Sequence, residues 1–333
     1  MPERPRVALI FTGGTIDSVG MDRLDLAWYI EAGKRLDDGE LVGRVPELAS
    51  VAEVEEIPFR RLPSQSISDT DLLDLVRLIH EVLESDRADG IVITHGTNTL
   101  EETAYLLHLT LKTDRPVVIV GAMRPSSALS ADGYLNLLNG VRVAGHPGSL
   151  GMGVLVVLND TIHSARDVTK TATYRVETFQ ARDLGPLGYA DNDGRAIFYH
   201  RPLRAHTTAT EFDLEALGEL PRVDVVVSYL GADGTMIDAA VAAGARGIVS
   251  AGTGAGRPTP GEDRALERAS GAGVVICQGT RVGSGRTVQS PGLKRKGWIG
   301  SDNLQPWKAR ILLRLGLART TDPAELQRLF DTY

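Results

Sequence analysis

Short, uninterrupted runs of apolar residues recur along the chain, and each run ends in small or polar residues. Such runs are typical of parallel strands, because helices cover both faces of the sheet and the alternation of polar and apolar positions is lost. The predicted strands cover residues 7–11, 90–94, 116–120, 153–158, 223–230, 247–251 and 273–277. The pattern therefore predicts a mostly parallel sheet structure.

Amphipathic patterns between and after these runs predict helices. The clearest of them cover residues 70–86, 306–318 and 322–330. Asp69 or Thr70 is expected to cap the first helix, and Asp322 is expected to cap the last. Because buried strands alternate with amphipathic helices, the sequence predicts the α/β fold class.

Residues 200–222 contain no sustained apolar strand and are the best candidate for a linker. The expected organisation is a larger N-terminal α/β domain over residues 1–200, a linker over 201–222 and a smaller C-terminal domain over 223–333. In open parallel sheets, ligands bind beyond the carboxyl ends of the strands. Those ends carry nearly all the hydroxyl-rich motifs of this chain, so we expect the chemistry there.

Composition and charge exclude several classes of function. The chain has 36 Lys and Arg against 43 Asp and Glu, which argues against a nucleic-acid partner. Its single cysteine, Cys277, excludes an internal disulfide, and seven scattered histidines show no metal-binding spacing. The apolar run near the N-terminus is too short for a signal peptide or a membrane span. We therefore expect a cytoplasmic protein without a metal site.

Hydroxyl, amide and lysine side chains remain as candidates for catalysis. The segment ITHGTNTLEE, residues 93–102, places Thr97 and Asn98 directly after a predicted strand. A threonine needs a neighbouring base before it becomes a good nucleophile. Lys170 can serve if burial lowers its pKa, although a lysine in isolation is more often a solvated surface group. His95 is a second candidate base, but a histidine that forms local hydrogen bonds at the strand end is the favoured interpretation.

Ten motifs, spread in order over essentially the whole chain, resemble the bacterial L-asparaginase/glutaminase family. They are TGGTID (12–17), SQS (64–66), THGTNTLEETA (94–104), GAMRP (121–125), SADG (130–133), NDT (159–161), RDVTKT (166–171), GPLGY (185–189), GIVSAGTGAG (247–256) and PWKARILLRL (306–315). The resemblance implies a larger N-terminal α/β domain and a smaller flavodoxin-like C-terminal domain. It also implies a homotetramer built from intimate dimers, and no cofactor.

The resemblance also assigns catalytic roles to individual residues. Thr12 matches the primary nucleophile of the family, Thr97 matches the second catalytic threonine, and Lys170 matches the lysine that pairs with Thr97. A mobile lid in the family supplies a tyrosine that helps to activate the first threonine. The corresponding segment here is residues 17–34, which we call the lid segment, and Tyr29 is its tyrosine. A simple apolar helical turn is an equally good interpretation of the residues around Tyr29.

Substrate-binding roles follow from the same resemblance. Ser64 and Gln65 match the segment that holds the carboxylate and amino group of the substrate, and Ser66 follows them. Ala122 matches the residue whose carbonyl faces the scissile amide. Asn98 occupies a position beside the second threonine. The expected partner of this site is a small-molecule amide.

Three departures from the family pattern change the expected substrate. The family has aspartates at the positions of Asn98 and Ser66, and an acidic residue within the segment that here reads TVQSPGLKRKGW, residues 287–298. A buried α-ammonium without a carboxylate partner costs several kcal/mol. The sequence therefore predicts an amidohydrolase that forms an acyl-enzyme on Thr12 and acts on a small amide, imide or lactam lacking a free α-ammonium.

Two alternatives stay open at this stage. The first is an ordinary L-asparaginase in which Asp17, Asp22 or Asp25 of the lid segment replaces the missing carboxylates. The second is a non-catalytic ligand-binding homologue, although the complete threonine and lysine motifs weigh against it. The basic run at residues 294–296 (Lys294, Arg295 and Lys296) is most simply a solvated surface; the sharper hypothesis has one of these residues reaching the pocket of a neighbouring subunit.

Overall fold

The computed structural model of the protein describes residues 4–37 and 39–333. The chain divides into two compact units, residues 1–210 and 211–333. The division between Thr210 and Glu211 lies within residues 201–222, the predicted linker. Short helical turns occur in that segment, at Thr207–Ala209 and Leu214–Leu217.

The first unit is built around a large sheet. Its strands are β1 (Arg6–Phe11), β2 (Ser18–Val19), β3 (Lys34–Arg35), β4 (Glu53–Pro58), β5 (Gly90–Thr94), β6 (Val117–Val120), β7 (Val154–Leu158), β8 (Thr161–Ser164), β9 (Thr169–Lys170), β10 (Phe179–Gln180), β11 (Gly188–Ala190) and β12 (Ala196–Phe198). Among the described residues, eight strands form one sheet in the order β12-β11-β8-β7-β6-β5-β1-β4. The five strands from the edge strand β4 to β7 are parallel, while β8, β11 and β12 extend the sheet on the other side in antiparallel pairing.

The first unit also contains helices, several of which pack against the strands. They are α1 (Tyr29–Ala32), α2 (Glu40–Gly43), α3 (Leu48–Val51), α4 (Asp69–Glu84), α5 (Leu100–Thr110) and α6 (Gly133–Ala144). The prediction that Asp69 or Thr70 caps α4 is wrong. Ser68 is the N-cap, because its hydroxyl accepts the backbone N–H of Asp71 and the Asp71 carboxylate accepts the N–H of Ser68 in return.

The second unit is a smaller parallel α/β structure. Its strands are β13 (Val223–Val227), β14 (Gly247–Gly252), β15 (Val275–Thr280) and β16 (Ile299–Gly300), paired in that order. Its helices are α7 (Leu214–Leu217), α8 (Thr235–Ala242), α9 (Pro260–Gly271), α10 (Pro291–Lys296), α11 (Pro306–Leu317) and α12 (Pro323–Thr332). Asp322 caps α12 as predicted, since its carboxylate accepts the N–H of Ala324. The two units confirm the predicted fold class.

Two further structural facts bear on the predictions from composition. No helix among the described residues is both long and apolar enough to cross a membrane. The same residues contain no group of three or more His, Cys, Asp or Glu side chains arranged to hold a metal ion. Cys277 is a free, buried thiol, and burial raises its pKa.

Candidate active site

Thr12 lies directly after β1, at the carboxyl edge of the large sheet. Its side chain is buried, and its hydroxyl donates to the carbonyl oxygen of Thr94, the last residue of β5, at 2.7 Å. Gly13 and Gly14 follow with φ of +92° and +112°, a region that glycine adopts without strain. A Cβ on Gly14 would lie 2.6 Å from the backbone nitrogen of Gly96. Glycine is therefore needed where the turn after β1 meets the turn after β5.

Thr97 and Lys170 form a direct side-chain hydrogen bond in the site. Thr97 lies in the turn after β5, and Lys170 is the last residue of β9. The Lys170 Nζ donates to the Thr97 Oγ1 at 2.9 Å. Burial lowers the pKa of Lys170, and the negative charge of Glu101 opposes part of that shift. A half-buried amine with a lowered pKa is suited to accept the proton of a hydroxyl.

Glu101 holds the main chain of Lys170. It lies in the first turn of α5, its side chain is buried, and its Oε1 accepts the backbone N–H of Lys170 at 2.9 Å. The sequence analysis assigned no role to this residue. Its place in an acidic pair directly after the threonine motif was the available signal.

Ser64 joins a third segment to these two turns. It opens a short 3-10 helix, Ser64–Ser66, and is buried. Its carbonyl oxygen accepts the hydroxyl of Thr99 at 2.8 Å. A Cβ on Gly96 would lie 2.8 Å from the Ser64 Oγ, so the two backbones approach closely. The structure therefore brings the predicted binding segment against the turn that carries Thr97.

Asn98 and Gln65 form an exposed pair of amides beside these turns. The Asn98 Nδ2 donates to the Gln65 Oε1 at 3.2 Å. Ser66 is exposed as well, and its backbone N–H donates to the carbonyl oxygen of Pro63. This part of the site therefore presents neutral amide and hydroxyl groups.

Ala122 is buried in the turn that follows β6. Asp132 fixes that turn, because its carboxylate accepts the backbone N–H groups of Met123 and Arg124, each at 2.9 Å. The Nδ2 of Asn136 donates to the carbonyl oxygen of Gly121 at 2.9 Å. Asp132 stands in the SADG motif, but sequence reasoning gave it no role.

Tyr29 opens the short helix α1 within the lid segment. Its hydroxyl lies 2.9 Å from the Thr15 Oγ1, and either group can donate. Burial raises the pKa of Tyr29, and the hydrogen bond with Thr15 opposes that effect. In this structure the tyrosine is therefore tied to the turn that carries Thr12, through Thr15.

Two of the three aspartates in the lid segment are occupied by backbone N–H groups. The Asp25 carboxylate accepts the N–H groups of Met21 and Trp28, and these bonds lower the pKa of Asp25. The Asp22 carboxylate accepts N–H groups of its own turn. Asp17 is buried with an Oδ2 3.9 Å from the Arg61 Nε; desolvation raises its pKa although Arg61 and Arg35 favour the charge.

His95 follows β5 but does not resemble a catalytic base. It is fully buried, and its Nδ1 lies 2.8 Å from the carbonyl oxygen of Gly96. Burial lowers the pKa of His95 to about 4. The structure therefore supports the interpretation of a neutral histidine that forms a local hydrogen bond.

The basic run at residues 294–296 closes helix α10 of the second unit. The Lys296 Nζ lies 2.8 Å from the Glu267 carboxylate and 3.1 Å from that of Asp263. It also lies 4.4 Å from the centre of the Trp298 ring. Lys296 is therefore engaged within its own unit, whereas Lys294 and Arg295 are exposed.

The fold and the residues at the carboxyl edge of the large sheet together indicate the class of protein. Threonine hydroxyls, a half-buried lysine and two exposed amides lie around the turns at the carboxyl edge of the parallel strands, the usual place for ligands in such sheets. This is an α/β protein whose site is suited to acyl transfer.

Comparison with known proteins gives the family. The model of the asparaginase N-terminal domain matches residues 6–204, and that of the glutaminase/asparaginase C-terminal domain matches residues 222–330. L-asparaginase 2 of Escherichia coli is 42% identical to this chain, with 99% of this chain and 93% of that protein aligned. The glutaminase-asparaginase of Pseudomonas fluorescens is 40% identical, with 98% and 90% aligned.

A solved structure agrees with the sequence relatives. The crystal structure of a probable cytoplasmic L-asparaginase from Campylobacter jejuni matches with a TM-score of 0.91 and 37% identity, over 99% of this chain and 100% of that one. The chain belongs to the asparaginase family. It is an amidohydrolase, acting on carbon–nitrogen bonds other than peptide bonds. The family predicted from the ten motifs is confirmed.

Proposed function

We propose that this amidohydrolase uses Thr12 as its nucleophile and hydrolyses a small amide, imide or lactam that lacks a free α-ammonium. Thr97 and Lys170 are the proposed proton-transfer pair, and Tyr29 assists Thr12. The hydrogen bond of 2.9 Å between the Lys170 Nζ and the Thr97 Oγ1 is the observation that carries the proposal. It supplies the contact between a hydroxyl and a base that threonine chemistry requires.

The proposed reaction proceeds in two stages. The Thr12 Oγ1 attacks the carbonyl carbon, and the C–N bond breaks as an ester forms on Thr12. The proton released by Thr12 passes through Thr97 and Lys170 to the leaving nitrogen, so ammonia or an amine departs. Water then attacks the ester, a carboxylic acid is released, and the Thr12 hydroxyl is restored.

The neutral groups around the binding segment support the choice of substrate. Asn98 and Gln65 offer amide donors and acceptors, and Ser66 offers a hydroxyl, where an ammonium would require a carboxylate. We assign Ser64 and Gln65 to the substrate carboxylate or its equivalent, and the carbonyl of Ala122 to the scissile amide. Asn98 then binds a carbonyl, hydroxyl or carboxylate of the substrate.

An ordinary L-asparaginase, releasing aspartate and ammonia, is the second candidate. Relatives named L-asparaginase 2 and glutaminase-asparaginase, at 40 to 42% identity, favour it. Asp22 and Asp25 of the lid segment do not favour it, because both already accept backbone N–H groups, whereas Asp17 is buried and keeps one oxygen without a hydrogen-bond partner among the described residues. A screen for ammonia release decides between the candidates. It compares L-asparagine and L-glutamine with succinamic acid, N-acylated amino-acid amides and cyclic imides.

Trapping of the acyl-enzyme tests the nucleophile. Trypsin places Thr12 in the peptide of residues 7–23 and Thr97 in the peptide of residues 88–112. Acid quenching during turnover, followed by mass spectrometry, should show the acyl group on the first peptide. An acyl group on the second peptide would make Thr97 the nucleophile instead. The matched control is Thr12→Ala, which should carry no acyl group on either peptide.

Assembly and compartment complete the proposal. The family resemblance supports a homotetramer built from intimate dimers. The single cysteine and the slightly acidic charge balance support a cytoplasmic location and the absence of a nucleic-acid partner, and the short N-terminal apolar run supports the absence of a membrane partner. Light scattering coupled to size-exclusion chromatography should give about four times the chain mass of 35.8 kDa. A monomer at assay concentration would contradict the tetramer.

A further inference from the structure

Glu101 is a buried carboxylate with one oxygen in use. Its Oε1 accepts the backbone N–H of Lys170 at 2.9 Å across 69 residues of sequence. Its Oε2 is buried and has no hydrogen-bond partner among the described residues. A buried carboxylate oxygen without a partner is costly, so this arrangement calls for a compensating role.

Lys170 needs an anchor from outside its own strand. It ends β9, which has two residues and pairs only with the equally short β10 among the described strands. A pairing of two residues between β9 and β10 is too short to fix the position of the Lys170 side chain firmly. The bond from Glu101 ties the Lys170 main chain to α5, whose N-terminus follows the turn that carries Thr97.

Glu101 is the carboxylate whose charge affects the pKa of the Lys170 amine. Upstream of β9, Arg166 and Asp167 form an ion pair of 3.0 Å and largely offset each other. Asn98, in the turn that carries Thr97, is uncharged. On the facing strand β10, Phe179 is the register partner of Lys170.

We propose that Glu101 is a positioning residue for Lys170. Its carboxylate fixes the main chain so that the Nζ meets the Thr97 Oγ1, and its charge sets the pH at which the amine loses its proton. The proposal rests on the proposed function, in which Lys170 is the base.

The direction of the effect follows from the charge. Burial lowers the pKa of Lys170, and the Glu101 carboxylate opposes that shift by favouring the ammonium. Removing the carboxylate charge should therefore lower the pKa of Lys170 further. The neutral amine would then be available at lower pH, and the ascending limb of kcat/KM against pH should move to lower pH.

Three variants separate charge from position. Glu101→Gln keeps an oxygen for the Lys170 N–H and removes the charge, so the ascending limb should move down by about one pH unit. Glu101→Asp keeps the charge, but its side chain is shorter and holds the Lys170 N–H less well. We therefore expect kcat to fall about tenfold while the ascending limb of kcat/KM stays at the same pH. Glu102→Gln, the same change one residue along α5, is the control and should match the wild type. Thermal unfolding of each variant verifies that it is folded.

A second measurement does not depend on turnover. The rate at which acetic anhydride labels Lys170, measured by mass spectrometry against pH, reports the pKa of its amine without substrate. In Glu101→Gln, the midpoint of this labelling titration should move to lower pH by the same amount as the ascending limb of kcat/KM. An unmoved labelling titration, with Glu101→Gln and Glu102→Gln superimposed, would overturn the role of Glu101. A shifted titration with an unshifted rate profile would support Glu101 and remove Lys170 as the base.

Discussion

Asn98→Asp tests the proposed substrate class most directly. The amide and the carboxylate have nearly the same shape, and Asn98 is exposed, so the change is electrostatic rather than steric. The new carboxylate can no longer donate to the Gln65 Oε1 at 3.2 Å. Because Gln65 is exposed, its amide can rotate and present its NH₂ group instead. The fold should therefore tolerate the variant.

The size of the effect follows from the bond that an α-ammonium would gain. A charge-assisted hydrogen bond contributes about 1.5–3 kcal/mol, which corresponds to a rise of about tenfold to a hundredfold in kcat/KM for L-asparagine. Substrates with a neutral or anionic group at that position should lose activity. The same negative charge should raise the pKa of Lys170, so the ascending limb of the rate profile should move to higher pH.

The assay compares two substrates in parallel. Ammonia release from L-asparagine and from the best substrate lacking an ammonium gives a ratio of kcat/KM for each variant. Asn98→Leu is the matched control, because it removes the amide without adding a charge. The ratio should move toward L-asparagine in Asn98→Asp alone. A ratio and a pH profile that both stay at the wild-type values would show that selectivity is set elsewhere.

Four other substitutions test the catalytic residues and the fold. Thr12→Ala and Thr97→Ala should each lower kcat by about a thousandfold or more with unfolding unchanged; retention of more than about a tenth of kcat would remove that threonine from the mechanism. Tyr29→Phe should lower kcat about tenfold with little change in KM, and an unchanged kcat would make the tyrosine structural. Gly14→Ala should destabilise by more than about 2 kcal/mol in chemical denaturation, because φ is +112° and the Cβ would meet backbone. Gly33→Ala, at φ +62° in open space, is the control and should cost about 1 kcal/mol.

Sequence reasoning found the strands that form long apolar runs and missed the short strands and the polar edge strand β4. The runs that became β5 and β7 are continuous in Val, Ile or Leu, and every residue of both strands is buried. By contrast, β4 reads EVEEIP, lies at the edge of the sheet and is largely exposed. Its pairing with β1 compensates for its low strand propensity, and that compensation is a tertiary effect.

Tertiary contacts also explain which residues of the site were missed from the sequence. The contact between Thr97 and Lys170 was expected because both stand in long motifs. Glu101 and Asp132 were missed because each acts on backbone N–H groups of another segment or turn. Nothing in the local sequence distinguishes such a carboxylate from an ordinary residue at a helix N-terminus, where acidic side chains are common.

The carboxylates of the first unit also constrain the substrate. Asp22, Asp25 and Asp132 each accept backbone N–H groups, whereas Asp17 and Glu101 each keep one buried oxygen without a hydrogen-bond partner among the described residues. An ammonium paired with Asp25 or Asp132 would have to compete with the N–H groups that these carboxylates already accept. An exchange of this kind at a buried carboxylate leaves a donor without its partner, at a cost of about 1–3 kcal/mol. A substrate with a neutral or anionic group avoids this cost, so we expect the ammonia-release screen to rank such substrates above L-asparagine; the reverse ranking would contradict the proposed substrate class.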